Sequence, residues 1–592
     1  MVKENSENIS MNSHMLKSII VLWSMVSKKI KKSSLTLYIL VLLASAIEFL
    51  IVISIAPLIR AITSNGPDGM AEIKSLFYKY MSKDIQTIDK EEFFLFYCII
   101  VASLFLIASI LRLVIGIYQA KITYLASSEI AKGVFEGSLR NGFSSVLKFG
   151  EARLTSTVTM KITEIFNQIF LPCFQILTSS ILLIVIVISL IIYNVEVTLV
   201  SVTIIFIFYY LSAKISKNIV SKNGKIINEK TNHVMGLVSS SYSSSRIITI
   251  WDLSQFVSTK FDAADRAIRK ARAINSIFSL GPRHILEGLT FFLVFILTGI
   301  FYKSYGENIT PLIGTFLVAA QRIMPLSQII YSSLNAIRGT QGFILDVNEL
   351  HQEFKNNNMK STKPKNYGLN YPGALIISWR NFATHEMSRD KKKLTTKINI
   401  DAYEGDLITL VGNSGVGKST LMESMMGLRQ NSNGECFLLG EHFSNVTDQR
   451  GQTNFPAEMI GYMPQTTPIF QGTLLENVLL GKPMDDKRLD MALTVSGLSK
   501  RLPWLDGGVH AMLGANHYEL SGGESKMLGI ARILYRNSKI VFVDEPTSGL
   551  DSEAAITLMT DLKKVFSQSV LIVITHDTNV LKFANKVIKI EA

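Results

Sequence analysis

The chain has 592 residues, 48% of them hydrophobic, and a mean hydropathy of +0.29. That is too apolar for an ordinary soluble enzyme of this length, and the length allows several domains. The formal net charge of +13 would suit a nucleic-acid partner, but much of it flanks apolar segments, the pattern of a cytoplasmic membrane face. The three cysteines, Cys98, Cys173 and Cys436, form no spacing motif, so neither a disulfide nor a metal site is read. The polar first residues, with no short apolar core and small-residue cleavage site after them, give no signal peptide.

Residues 1–13 are polar and read as disordered. Met15 to Ser33 reads as a basic amphipathic helix, with Ile19, Ile20, Leu22, Trp23 and Val26 followed by Lys28, Lys29, Lys31 and Lys32. Such a helix can lie on the membrane surface or simply flank the first span. Six apolar spans of bilayer length follow, at about 36–62, 93–118, 168–193, 195–213, 284–303 and 309–335. Only Tyr193-Asn194-Val195-Glu196 separates the third from the fourth, which predicts a tight hairpin. Residues 63–92 carry Asp68, Glu72, Asp84, Asp89, Glu91 and Glu92 against four lysines, whereas residues 214–272 are strongly basic. Both termini are therefore expected inside and 63–92 outside. The connections 119–167 and 214–283 have helical patterns and are expected to extend the membrane helices into the cytosol.

In or at the edges of the spans, Glu48, Arg112, Arg283, Glu287 and Arg322 are ionisable, and such groups usually face a partner or a polar cavity. Arg283 and Glu287 are four apart and can pair on one helix face. Arg112 and Arg322 have no obvious local partner. They are candidates for an anionic group of a substrate, with pairing to Glu48 as the alternative. Residues 354–372, rich in Asn, Lys, Pro and Gly, mark a linker between a domain at 1–353 and one at 373–592.

The second domain reads as soluble α/β. Gly412-Asn413-Ser414-Gly415-Val416-Gly417-Lys418-Ser419-Thr420 fits the phosphate-loop pattern, between the apolar run 407–411 and a helix-forming stretch. Its glycines let backbone N–H groups approach phosphate, Lys418 would reach the β- and γ-phosphates, and Ser419 would hold Mg²⁺. Ile540–Val543 ends in Asp544-Glu545, one acid for Mg²⁺ and the next to orient or deprotonate water. Leu520-Ser521-Gly522-Gly523-Glu524 opens a helix and forms either an anion site or a plain N-cap. Gln465 and His576 are unremarkable alone.

The order of these stretches, with Ser548-Gly549-Leu550-Asp551 between the acid pair and His576, strongly resembles the nucleotide-binding domain of ATP-binding cassette (ABC) transporters. The six spans resemble the membrane domain of ABC exporters. The resemblance implies a helical membrane domain plus an α/β ATPase domain, ATP and Mg²⁺ as cofactors, and ATP hydrolysis coupled to transport. It also implies that Gln465 contacts Mg²⁺ and the attacking water, that His576 contacts the γ-phosphate, and that Asp551 lies at a dimer interface. Ser521 and Gly523 would bind ATP held by another subunit's phosphate loop, so hydrolysis needs a dimer, and a homodimer suffices. The chain departs from the family at three points. The position of the adenine-stacking tyrosine falls on Glu386, with His385 beside it; Gly514-Ala515-Asn516-His517 replaces a Gly-Glu-x-Gly run; and Glu524-Ser525 replaces Gln-Arg.

Ala46-Ile47-Glu48, Ile55-Ala56-Pro57-Leu58-Ile59, Gly281 through Glu287, and Arg322-Ile323-Met324-Pro325 resemble spans of bacterial exporters related to lipid-linked oligosaccharide flippases. The expectation is an exporter or flippase of the bacterial inner membrane, with a cytoplasmic ATPase domain and a lipid-linked saccharide as substrate. Arg112, Arg322, Glu48 and Arg283 are the candidate substrate residues. A peptide or multidrug exporter is the alternative, and no nucleic-acid partner is expected. Short helices near Phe143–Phe149 and Ser239–Ile247 would dock on ATPase domains, the second on the partner chain.

Overall fold

The structure is a computed structural model. It describes residues 20–21, 23–24, 26–63, 90–140, 142–193, 195–305, 309–357, 375–384, 397–429, 431–439, 441–442, 455–456, 458–514 and 517–590. His385, Glu386, Ala515, Asn516, the linker stretch 358–374 and the outer segment 64–89 lie outside the described residues. By its internal contacts the chain forms two units. One comprises Met1–Arg140 and Phe149–Asn356, the other Asn141–Lys148 and Asn357–Ala592.

The first unit is helical. Its long helices are Lys28–Thr63, Lys90–Arg140, Leu171–Tyr193, Val195–Ser243, Ser254–Tyr305 and Ile309–Gly339, and each carries one of the six expected spans. Among the described residues, four stretches are long and apolar enough to cross a membrane: Lys28–Ile59, Phe94–Arg140, Glu151–Ile192 and Thr198–Ser243. The helix Lys90–Arg140 has 51 residues, hence about 75 Å at the α-helical rise, far more than a bilayer core needs. The expected cytosolic extensions are thus continuous with the spans. Many of the large apolar residues on these helices, such as Leu106, Leu113, Phe206 and Phe295, are exposed, as lipid-facing side chains would be.

The amphipathic N-terminal stretch is not one uninterrupted helix. It breaks at Val26–Ser27, where the Ser27 N–H donates to Glu129 Oε2 at 2.9 Å, and Lys28 starts the next helix. Trp23 packs on Phe170 and Phe174, with ring centroids 5.9 and 5.8 Å away, which gives its apolar face a protein partner. The third span is entered through Glu151–Ser156, Ile162–Ile165 and two π-helical turns, Thr157–Lys161 and Phe166–Phe170. Lys161, with no solvent exposure, pairs there with Asp346 on the helix Gln341–Asn357. Arg153 Nη2 reaches Asp346 Oδ1 at 2.8 Å and Glu349 Oε2 at 2.6 Å. Burial alone would push the Asp346 carboxyl up, but the hydrogen bond and charge of Lys161, with Arg153, hold it below its ordinary value.

The second unit combines two sheets. β1 (Leu375–Thr384), β2 (Ile398–Tyr403), β4 (Asn431–Leu438) and β5 (Glu441–His442) form an antiparallel sheet in the order β2-β1-β4-β5. β3 (Leu407–Val411), β6 (Ile460–Met463), β9 (Ile540–Asp544), β10 (Val570–Ile574) and β11 (Lys586–Lys589) form a parallel sheet ordered β11-β3-β10-β9-β6. β9 and β10 are buried at every residue, which explains their unbroken apolar runs, whereas β2 alternates buried and exposed. Apolar cores cover both faces of the parallel sheet. The pair β7 (Gly472–Thr473) and β8 (Met512–Leu513) completes the strands. The short helix Gly142–Phe149 leaves its sequence neighbours and falls almost entirely within this unit, where the Arg429 guanidinium lies 5.6 Å from the Phe143 ring centroid.

Candidate functional site

Strand order builds the site. Ligands of parallel α/β sheets sit at the carboxyl ends of the strands, and here four neighbouring strands end in chemistry. β3 leads into the phosphate loop, β10 into His576, β9 into Asp544-Glu545, and β6 into Gln465. The register sets Ile574 beside both Leu410 and Asp544, so residues far apart in sequence meet at one sheet edge.

The loop turns through Gly415 at φ +80° and Gly417 at φ +96°, conformations that L side chains rarely adopt, before the helix Lys418–Met425 begins. The Lys418 ammonium donates to the carbonyls of Gly412 and Asn413, both at 2.9 Å, which holds it across the loop. The Ser419 hydroxyl donates to Asp544 Oδ2 at 3.1 Å. These two oxygens are hard donors of the kind Mg²⁺ selects. Burial pushes the Asp544 carboxyl up, with Glu545 and Glu423 adding to it, so a cation is what this crowd of carboxylates favours. The residues present fit the metal.

Glu545 carries a left-handed backbone, φ +49°, while its N–H donates to the Ile574 carbonyl at 3.0 Å. A non-glycine residue in this region is strained, and such strain gathers at functional positions. Gln465 Nε2 donates to Glu545 Oε2 at 3.0 Å, and His576 Nε2 lies 3.9 Å from Glu545 Oε1. The structure therefore brings Lys418, Ser419, Asp544, Glu545, Gln465 and His576 together.

Gly522, Gly523 and Asp551, with Ser521 next to Gly522 in sequence, border a pocket that none of residues 412–420 lines. Ser548 lines it too. Of the two readings of the Ser521 stretch, the N-cap is the one whose hydrogen bonds form. Ser521 caps the helix Gly522–Arg536, accepting from the Glu524 N–H at 3.3 Å, while the Ser521 N–H donates to Glu524 Oε2 at 2.9 Å. This reciprocal cap is a local use for Glu524 in place of glutamine. Asp551 caps the helix Ser552–Val565, accepting from the Ala554 N–H at 2.7 Å.

Sequence reasoning missed one clamp. Arg532, 8% exposed, donates to the Asn477 carbonyl at 2.7 Å, to Asn477 Oδ1 at 2.8 Å and to the Pro468 carbonyl at 2.6 Å. It ties the helix that Ser521 opens to the segment following Gln465. Burial pushes its guanidinium down to about 10. The signal in the sequence was a single arginine inside the apolar run 528–535.

The membrane charges also find partners. Glu48, 2% exposed, pairs with Arg112 and, at 2.9 Å, with Arg322 Nη1. Arg322 further sits 4.8 Å from the Phe105 ring centroid. Of the two readings left open by the sequence, interhelical pairing with Glu48 is the one that forms. Arg283 and Glu287 are both exposed, and among the described residues they make no ion pair with each other.

A phosphate loop on a parallel sheet, with an acid pair and a capped Ser-Gly-Gly helix, defines an ABC-type ATPase domain. A family model described as ABC transporter matches residues 395–548. An ABC transporter ATP-binding protein of Methanocaldococcus jannaschii is 33% identical over 204 residues, covering 33% of this chain and 85% of that one. The chain belongs to the ABC transporter family. An ATP-dependent lipid A-core flippase of Polaromonas is 31% identical over 198 residues, 33% of this chain and 32% of the flippase. A mitochondrial iron-sulfur clusters transporter of Debaryomyces hansenii is 26% identical over 317 residues, 52% of this chain and 44% of that one. The chain thus spans less than half the length of these two relatives. A bacterial Atm1-family ABC exporter with ATP bound shares the fold, with TM-score 0.73 and 16% identity over 95% of this chain and 93% of that one.

Proposed function

We propose that the chain is an ATP-driven exporter or flippase of the bacterial inner membrane. Residues 1–353 form its membrane domain, 354–372 a linker and 373–592 a cytoplasmic ATPase domain. The observation that carries this reading is the convergence of Lys418, Ser419, Asp544, Glu545, Gln465 and His576 on a chain that also bears helices of membrane length. In hydrolysis, water attacks the γ-phosphorus as the bond to the β-bridging oxygen breaks. Glu545 accepts the water's proton, held in place by Gln465. Lys418 and the loop N–H groups from Gly412 to Thr420 bind the phosphates, and His576 approaches the γ-phosphate. Ser419, Asp544 and Gln465 would hold Mg²⁺, whose charge offsets that of the phosphates.

Ser521, Gly522, Gly523 and Asp551 serve the ATP of a second copy, making a homodimer the working unit. Two observations support this. Gly522, Gly523 and Asp551 line a pocket that no residue of the phosphate loop lines. The helix Ser245–Ile250 buries none of its residues and is followed by Trp251, 70% exposed, leaving an apolar face for a partner's ATPase domain. A cysteine replacing Ser243 should crosslink to the partner's ATPase domain, near the segment after Gln465; intrachain crosslinks alone would contradict it.

The substrate in this reading is a lipid-linked saccharide. Arg112, 43% exposed, can direct donors at its pyrophosphate, while Glu48 serves as the shared counter-ion of Arg112 and Arg322. Arg283, exposed on its span, is a further contact. The test is ATPase activity of the protein in lipid, screened against lipid-linked saccharides, peptides and drugs. Stimulation by peptides or drugs alone would replace the saccharide assignment.

A further inference from the structure

A pocket of ≈ 660 Å³ opens between the helices Leu171–Tyr193, Val195–Ser243 and Ile309–Gly339, all within the first unit. Its walls are apolar, with Leu183, Val202, Phe206, Ile323, Ile330 and Leu334 among them. Its lining also includes Lys214, Lys217 and Arg338, and no acidic residue. The three cations gather at one end. Along Val195–Ser243 the lining runs from Val202 to Lys217, and along Ile309–Gly339 from Ile323 to Arg338, 15 residue steps in each case. At the helical rise that is about 22 Å, with every cation at the far, cytoplasmic end. Among the described residues neither Lys214 nor Lys217 has a hydrogen-bond or ion-pair partner, and Arg338 Nη1 donates only to the Ala213 carbonyl, at 3.1 Å.

Tyr209 and Tyr331 lie between the apolar and cationic stretches, their rings 5.4 Å apart. Their hydroxyls are already used. Tyr209 reaches Gln328 Oε1 at 3.3 Å and Tyr331 donates to the Phe278 carbonyl at 2.8 Å. With those hydroxyls engaged, Lys214, Lys217 and Arg338 are the charged groups of the lining. We infer that this pocket binds one anionic lipid of the cytoplasmic leaflet, an acyl chain along the apolar walls and the phosphate at Lys214, Lys217 and Arg338. A zwitterionic headgroup would bring its own cation against three others, so charge selects the anionic lipid. A soluble phosphate would leave the apolar walls unused. The inference rests on the helical unit spanning a membrane, and it does not depend on the saccharide assignment.

The test is native mass spectrometry of the full-length protein in the absence of ATP, with phosphatidylglycerol or phosphatidylcholine of matched chains. The expected result is retention of one tightly held phosphatidylglycerol, weakened about tenfold or more when Lys214, Lys217 and Arg338 are all changed to Gln. Phosphatidylcholine retention should be weak and unchanged. Changing Lys222, Lys225 and Lys230 to Gln removes as many charges outside the pocket and should leave binding intact. Leu334→Trp, which fills the apolar walls, should weaken phosphatidylglycerol while every cation stays. Swapping the cations for one another (Lys214→Arg, Lys217→Arg and Arg338→Lys) should keep it and guard against a folding defect. Equal retention by the Gln variant overturns the inference, as does equal loss from the Lys222, Lys225 and Lys230 variant. Failure of saccharides to stimulate ATPase would leave this result standing and remove only the substrate reading above.

Discussion

The two units treat charge in opposite ways. At the strand ends of the ATPase unit, Asp544 and Glu545 are adjacent carboxylates whose partners are neutral or distant: a serine hydroxyl, a glutamine amide, a histidine 3.9 Å away. In the helical unit, buried or half-buried carboxylates are met by cations: Glu48 by Arg112 and Arg322, and Asp346 by Lys161 and Arg153. A site that must bind a metal and polyphosphate keeps its charge uncompensated until they arrive. A helix packed in low dielectric must compensate its charge at once. An ionisable residue in an apolar span is therefore as good a sign of an internal pair as of a substrate.

The comparison can be broken most strongly at Glu545. Glu545→Gln keeps the shape and the neighbours but removes the proton acceptor. ATP turnover should fall by about 10²–10⁴, with nucleotide still bound and the dimer held closed. Lys418→Ala should instead lose nucleotide affinity, so equilibrium binding separates the two. Near-normal turnover by Glu545→Gln would remove it from the role of base.

Charge removal in the helical unit should act on folding. Glu48→Ala strands two arginines, one of them Arg322 at 15% exposure, and should cost about 3–5 kcal/mol, read as a lowered melting temperature and yield in detergent. Arg112→Gln leaves the Glu48–Arg322 pair and should cost much less. Equal losses would mean that the pair with Arg322 is not what satisfies Glu48.

Arg532→Met tests a charge buried inside the ATPase unit. It leaves Asn477 and the Pro468 carbonyl without their donor, costing about 1–3 kcal/mol. ATP binding should persist while turnover falls, because the helix Gly522–Arg536 is no longer tied to the segment after Gln465. Unchanged turnover would make the clamp purely structural.

The smallest effect is one of pH. Asp346 has a folded carboxyl pKa below its unfolded value, so its pairing contributes stability above the unfolded value and loses it as pH falls through the folded one. Melting temperatures should show wild type well above Asp346→Asn at neutral pH, with the gap closing below the ordinary carboxylate range. A gap independent of pH would assign the effect to packing.

The ATPase unit was legible because its chemistry is written in short contiguous stretches. Residues 412–420, 520–524 and 540–545 each bring their own backbone geometry, and the apolar runs of β3, β9 and β10 foretell buried parallel strands. Six long helices carry the stretches read from hydropathy, four stretches among the described residues being long and apolar enough to cross a membrane, and the helical pattern of the connections was legible too. What escaped were pairings across long sequence separations. Nothing local in the chain ties Lys161 to Asp346 or Arg532 to Pro468; packing does, and packing also decides for Glu48 between the pairing and substrate readings that the sequence left open. The break at Val26–Ser27 escaped for the same reason, since its partner is Glu129.

The backbone at Glu545 sets stability against activity at a single position. A left-handed conformation suits glycine far better than glutamate, so Glu545→Gly would relieve strain of about 1 kcal/mol while abolishing the proton acceptor. Selection for robustness alone would drive that codon toward an inert, sturdier protein. Only continued demand for turnover keeps a carboxylate there.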